Sequence, residues 1–294
     1  MRLIVPVVSA LVVVLASAPH AQTGRKVYIS VDMEGISGVN GDDQTSAGQA
    51  EYARGRKLMV EDANAAIRGA FAGGATDVLV NDSHGGQRNL LPEDLDPRAR
   101  LISHSFKRHG MMEGLDESFD SVLFIGYHAK ASAPRGLFAH TGSGVVRDLQ
   151  INGTSVGEGG MNAALAAWYG VAVALVTGDD VAVDEVKARV PAVKGVVVKR
   201  AINTRAVELV PLAEARRQIE AGAKEAVAAA KKPAPMRAGP FTVTMQFRDV
   251  TIPEVMSAFR EMERPAPDTL RFQRDALPEA YRLIRVLYRF IDTN

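Results

Sequence analysis

Three residues able to do chemistry sit in the same structural place, each after a short apolar run, and this placement constrains the chain more than any other feature. Residues 26–31 (KVYISV) read as a buried strand that ends at Asp32. Residues 76–80 (TDVLV) read as a second strand that runs into Asn81-Asp82-Ser83-His84. Residues 121–127 (SVLFIGY) read as a third, ending at His128. Residues 51–71 carry a helical pattern with Leu58, Met59, Ala63, Ile67 and Phe71 on one face, closed by Gly73-Gly74. Further strands are expected at 100–103, 145–151, 171–176 and 196–201, and a helix at 159–169. Strands alternating with helices predict an α/β fold with a mostly parallel central sheet flanked by helices. In open sheets of that kind ligands gather outside the carboxyl ends of the strands, where Asp32, His84 and His128 all fall.

The last third of the chain differs. An Ala- and Lys-rich helix is expected over 212–232, a Pro- and Gly-containing linker over 233–239, an alternating strand over 241–247 and an amphipathic helix over 278–291. The reading therefore divides the chain into a catalytic α/β region, 25–204, and a smaller C-terminal α/β segment, 205–294, that supports the site or an oligomer. Residues 1–21 form a separate address. Arg2 precedes an apolar stretch over 3–15, and small residues at Ala16-Ser17-Ala18 and Pro19-His20-Ala21 suit cleavage. The apolar stretch is shorter than the roughly 20 residues that span a bilayer core. This predicts a secreted or periplasmic protein, cut near Ala21, with no stable membrane anchor.

Composition removes several chemistries. The chain has no cysteine, which excludes disulfides, thiolate zinc sites, iron–sulfur clusters and cysteine nucleophiles. Its 35 basic and 34 acidic side chains give a net charge of +1 without a basic run, which argues against nucleic-acid binding. Neither nucleotide-binding glycine motif occurs. Gly153-Thr154-Ser155-Val156-Gly157 fits a serine-hydrolase elbow, but no histidine follows His140, so the required Ser-Asp-His order is missing. His104, His109 and Glu113 lie beside Lys107 and Arg108, and this stretch reads as solvated surface.

Metal-capable groups remain. Asp32 and Glu34 are two residues apart at a strand end and point the same way if the backbone is extended. Adding His84, His128 and Glu158, which opens a glycine-flanked helix, gives two histidines and three carboxylates. That oxygen and nitrogen set suits Zn²⁺ or Mn²⁺. Five groups exceed the three protein ligands of a typical catalytic zinc, and two metals sharing a carboxylate use the set economically.

The blocks Ser30-Val31-Asp32-Met33-Glu34-Gly35-Ile36-Ser37-Gly38, Val80-Asn81-Asp82-Ser83-His84, Gly126-Tyr127-His128-Ala129 and Val156-Gly157-Glu158, in this order, resemble the signature of the DppA-type D-aminopeptidases, a family of binuclear zinc peptidases. Met111-Met112-Glu113-Gly114-Leu115-Asp116 and Gly178-Asp179-Asp180 are similar to further family segments. The resemblance implies two zinc ions per chain. Asp32 would bridge them, with Glu34 and His128 completing one site and His84 and Glu158 the other. His140 falls where the family has its catalytic histidine, described there as a nucleophile; a general base or a stabilising group fits the chemistry equally well. The resemblance also implies a short-peptide substrate with an N-terminal D-residue such as D-Ala and a ring-like homo-oligomer. Glu113 is a candidate to meet the substrate's amino group. Another binuclear metallohydrolase, an amidase or a phosphoesterase, is the alternative enzyme, and a non-catalytic periplasmic peptide-binding protein is the alternative from another class.

Overall fold

The computed structural model describes residues 24–291 and, before them, only Met1, so the expected signal segment lies outside the described residues. The chain runs β1 (Arg25–Val31), α1 (Asp42–Thr45), α2 (Tyr52–Ala72), β2 (Ala75–Asp82), β3 (Arg100–Ile102), β4 (Ser121–Tyr127), β5 (Val146–Ile151), β6 (Thr154–Ser155), α3 (Glu158–Tyr169), β7 (Ala172–Asp179), α4 (Asp180–Arg189), β8 (Lys194–Ala201), β9 (Val207–Leu209), α5 (Leu212–Ala229), β10 (Phe241–Phe247), α6 (Thr251–Met256), β11 (Glu263–Ala266), β12 (Thr269–Arg274) and α7 (Leu277–Arg285). A π-helical turn, Val286–Phe290, continues α7.

Seven strands form one sheet in the order β3-β2-β1-β4-β7-β8-β9. All neighbours are parallel except β9, which runs antiparallel to β8. The expected mostly parallel α/β sheet is thus the framework of the protein. Its central strands β1, β2, β4 and β7 are largely buried and apolar because both faces are covered. On β1 and β4, Val27, Ile29, Val31, Leu123 and Ile125 pack on one face with Ala63 and Ile67 of α2 and Ile219 and Ala223 of α5. Tyr28, Val122, Phe124 and Tyr127 pack on the other with Met161 and Leu165 of α3 and Tyr281 and Ile284 of α7. Alternation of side chains along each strand produces this division up to Ile125, and an irregularity at Gly126, whose φ is 74°, turns Tyr127 to the Phe124 side.

A second sheet, antiparallel and ordered β11-β12-β10-β5-β6, covers the α3–α7 side. Residues 145–151, read as one more strand of the series, belong here and pair with β10. No helix separates β4 from β5, and a parallel neighbour needs a long crossover, usually helical. The C-terminal segment contributes to both sheets: β9 extends the first, and β10, β11 and β12 join β5 and β6 in the second. Helix α4 has no counterpart in the sequence expectations; the Asp179 carboxylate caps it, accepting from Ala182 N at 2.7 Å. The β11–β12 hairpin also lacks one, because Pro265 and Pro267 interrupt its strand pattern.

Strand order places the site. The chain steps outward from β1 to β2 and β3, then returns to place β4 on the other flank of β1. The crevice at such a reversal is where open α/β sheets bind ligands. Asp32 and His128 follow the carboxyl ends of these two adjacent strands.

Candidate metal centre

The loop after β1 brings Asp32 and Glu34 together because it is pinned to β4. Asp32 N donates to Ile125 O and Gly35 N donates to Gly126 O, both at 2.8 Å. Position 35 must be glycine: a Cβ there would strike the Tyr127 carbonyl and the Gly126 backbone. From the far side, Lys199 on β8 reaches in, fully buried, and its Nζ donates to Glu34 O at 2.8 Å and Val39 O at 2.5 Å. Burial lowers the Lys199 ammonium to about 7. Sequence reasoning missed this lysine; a charged residue within the apolar run VVVKRA was its signal.

The remaining groups arrive from three other elements. His84 lies two residues beyond β2, His128 directly follows β4, and Glu158 opens α3. Glu158 Oε1 accepts from Gly142 N at 2.6 Å, which ties the His140 loop to the helix. The structure brings all six predicted residues to one place. The ligand-capable atoms of Asp32, Glu34 and His84 lie within 4.8 Å of one another, as do those of Asp32, His128 and Glu158, and those of Glu34, His128 and His140. Asp32 is common to the first two sets, as a bridging carboxylate must be. Glu34 and His128, which the resemblance assigns to one site, share the set with His140, whereas His84 and Glu158, which it assigns to the other, share none; His84 is 3.0 Å from Glu34 and His128 is 3.3 Å from Glu158. The reason is topological. His84 reaches the crevice from the β2 side of β1, and Glu158 from the β4 side.

Each histidine has one ring nitrogen at a backbone carbonyl. His84 Nε2 is 2.8 Å from Thr45 O, His128 Nδ1 is 2.9 Å from Ala129 O, and His140 Nδ1 is 2.8 Å from Phe138 O. A carbonyl only accepts, so each of these nitrogens carries the proton and the opposite nitrogen presents its lone pair. For His84 that lone pair faces Asp32 and Glu34, and for His128 it faces Asp32 and Glu158. His128 Nε2 and Asp32 Oδ2 are buried without a hydrogen-bond partner. These ring nitrogens can face carboxylates at about hydrogen-bond distance only with positive charge between them, from a second proton or from a cation, so the donor set fits a metal pair.

The electrostatics say the same. Burial and Glu34 push the Asp32 carboxyl up to about 8. Burial opposes charge on His84 and His128, but the facing carboxylates outweigh it and hold both well above the ordinary imidazole value. Burial also opposes ionisation of Glu158, yet His128 and His140 hold it down at about 2. Carboxylates here keep their charge only with positive charge beside them, a role that protons or a metal can fill. The His140 ring stacks on His128 with centroids 4.1 Å apart, and its Nε2 is 3.6 Å from Glu158 Oε1.

A cavity of about 230 Å³ opens on the cluster, lined by Asp32, Glu34, His84, His140, Glu158 and residues of the chain end that include Arg285 and Tyr288. Roomier grooves flank it on the Tyr52–Arg88 side and the Arg205–Arg248 side, and both touch Glu34. Other sequence candidates fall elsewhere. Glu113 accepts from His109 N at 2.7 Å and borders none of these three cavities. Lys107, read as solvated, is buried, with Nζ donating to Asn81 Oδ1 and Asp82 O at 2.7 Å each. Ser155 donates to Asp148 and accepts from Lys130, with no histidine in its hydrogen bonds.

Known proteins share this arrangement of elements. The family model described as D-aminopeptidase matches residues 25–286. A D-aminopeptidase of Bacillus subtilis (strain 168) is 47% identical over 192 residues, which is 65% of this chain and 70% of the relative. The solved structure of a Zn-dependent D-aminopeptidase, DppA from Bacillus subtilis, described as a self-compartmentalizing protease, superposes with a TM-score of 0.85 at 39% identity, covering 89% of this chain and 96% of that one. A match that begins at β1, ends in the turn after α7 and includes all six clustered residues establishes kinship of the whole framework: the chain belongs to the D-aminopeptidase family.

Proposed function

We propose that the chain is a zinc-dependent aminopeptidase that holds two zinc ions and releases N-terminal D-residues, D-alanine among them, from short peptides. One observation carries this reading: Asp32 is shared by two ligand sets, and its Oδ2 and the facing His128 Nε2 are buried without a hydrogen-bond partner. Asp32, Glu34 and His84 would hold one ion, and Asp32, His128 and Glu158 the other. When bound, zinc supplies Lewis-acid polarisation of the scissile carbonyl and makes water more acidic. Family membership and the Zn-dependent relative support the choice of metal and substrate class.

The chain's own groups do the rest. The Phe138 carbonyl fixes the His140 proton on Nδ1, so Nε2 is free to take a proton from the attacking water and return it to the leaving amine. The Ala129 and Thr45 carbonyls orient His128 and His84 in the same way, and Lys199 holds the Glu34 loop in place. The cavity is smaller than the roughly 300–1,000 Å³ of a drug-sized site, which favours small peptides.

Residues 1–21 support export, with cleavage near Ala21 and a periplasmic source of D-residue peptides. The self-compartmentalizing relative supports a closed homo-oligomer. The direct experiment combines metal analysis with hydrolysis of D-Ala-D-Ala and L-Ala-L-Ala. Two zinc ions per chain and release of D-alanine are expected. Glu158→Ala is expected to lose one ion and activity. Cleavage of the L-peptide alone overturns the substrate reading, and full activity in Glu158→Ala overturns its ligand role. Sedimentation and the N-terminal sequence of exported protein test the oligomer and the cleavage site.

A further inference from the structure

The last helix puts a charge where its pattern calls for an apolar residue. Leu277, Tyr281 and Ile284 form the buried face of α7, and Arg285 lies on that face. Tyr281 OH donates to Asn162 Oδ1 at 2.6 Å, and Asn162 Nδ2 donates to Tyr127 OH at 2.8 Å. This chain of hydrogen bonds fixes the helix against the strand that precedes His128, so Arg285, one turn further on, is held at the metal cluster.

Arg285 is only 4% exposed and borders the 230 Å³ cavity together with Asp32, Glu34, His140 and Glu158. Its guanidinium lies flat against Gly110, where a Cβ would overlap it. Nη1 donates to Lys107 O at 2.8 Å, but Nε is buried without an acceptor. Among the described residues no carboxylate comes within ion-pair distance of Arg285. The neighbouring Lys107 ammonium also has only neutral acceptors: Asn81 Oδ1, Asp82 O and Ile102 O. Of these two cations Arg285 alone borders the cavity, and it does so with no carboxylate paired to it among the described residues. An unpaired buried charge is costly, and a guanidinium fork matches a carboxylate better than any other side chain does.

We propose that Arg285 recognises the free C-terminal carboxylate of the peptide, so that the site selects dipeptides over blocked or longer chains. The inference rests on the peptidase reading above. The cavity's size suits a dipeptide placed between the metal ligands and Arg285. Arg289, exposed and bordering the same cavity, donates to Gly85 O at 3.1 Å and adds positive charge at the rim. Lys107 stands behind Arg285 as a second cation, and acts on the substrate only through it.

The test compares D-Ala-D-Ala with its C-terminal amide on zinc-loaded protein, in wild type, Arg285→Lys and Arg285→Met. Wild type is expected to favour the free acid by about ten- to a hundredfold in kcat/KM, the range of a charge-assisted hydrogen bond, and mainly through KM. Arg285→Met is expected to bring the ratio near one, and Arg285→Lys to leave it in between. Calorimetry with the non-cleavable reduced-bond dipeptide and its amide reads the same preference as binding, without turnover. Equal handling of acid and amide by wild type overturns the proposal, and so does a preference that persists in Arg285→Met. Because Arg285 is buried, zinc content and melting are measured for each variant; if Arg285→Met does not fold, the wild-type ratio and Arg285→Lys decide. Failure of wild type to cleave either peptide refutes the peptidase reading and this proposal with it, whereas equal cleavage of both refutes the carboxylate site alone.

Discussion

Replacing Asp32 by Asn tests the centre at the side chain common to both ligand sets, and it predicts effects of opposite sign with and without metal. A ligand at a hundredfold over its Kd stabilises a fold by about 2.7 kcal/mol, so two zinc ions contribute about 5 kcal/mol. In a domain of this size each kcal/mol moves Tm by about 2–4 °C, so zinc is expected to raise the wild-type Tm by about 10–20 °C. Asp32→Asn weakens both sites at once. Its zinc-dependent gain should fall below about 5 °C, with less than one ion bound per chain. In chelator the sign reverses. Asp32 is then a buried carboxyl raised to about 8 by burial and by Glu34, so the folded state disfavours its charge at neutral pH. A neutral amide of the same shape removes that cost, and the metal-free variant should melt at or above metal-free wild type. Calorimetric melting in chelator and in zinc, with metal analysis, measures both effects. A variant that keeps the full zinc-dependent gain refutes the shared-ligand assignment. A metal-free variant melting several degrees below wild type refutes the electrostatic account.

His140→Ala should keep its zinc content and lose about 10²- to 10⁴-fold in kcat, the usual share of a proton-transfer group; loss of metal instead would make His140 a ligand. Gly35→Ala pushes a Cβ into the Tyr127 carbonyl and should cost about 1–3 kcal/mol of stability, with weaker zinc binding because Asp32 and Glu34 ride on that loop. An unchanged Tm would show that the loop adjusts. Lys107→Met strands the acceptors Asn81 Oδ1 and Asp82 O and should destabilise by about 1–3 kcal/mol near neutral pH. Burial lowers Lys107 from 10.5 to about 8, so between these values the unfolded chain binds the extra proton and this lysine's contribution to stability rises with pH. Denaturation from pH 7 to 10 should therefore show wild type gaining on Lys107→Met above about pH 8; a constant difference refutes the depressed value.

Much of the site was legible because its chemistry sits at fixed places in a simple pattern. Asp32, His84 and His128 follow apolar runs of strand length, and a parallel sheet delivers such positions to one edge. Glu158 was legible from the glycines around the start of α3, and His140 only through family resemblance. Lys199 and Arg285 were not picked out, since one lies within a strand and the other on a helix face, and nothing local names the partner each one meets. Arg285 needs α7 to cross 178 residues of sequence and meet Lys107, and Lys199 reaches back 165 residues to Glu34.

Periodicity and residue type alone determined the parallel α/β framework, the oxygen and nitrogen donor set imposed by the lack of cysteine, and the placement of Asp32, His84 and His128 at the crevice. Those are local properties, set by alternation along a strand and by the residue types just beyond its carboxyl end. Tertiary structure decided the rest. It moved β5 out of the parallel series and into a second sheet, grouped His84 with Glu34 and His128 with Glu158, and brought the end of the chain to the cavity. Each of these depends on which flank of β1 an element packs against, and that is settled by burial between segments far apart in sequence rather than by any pattern within one of them.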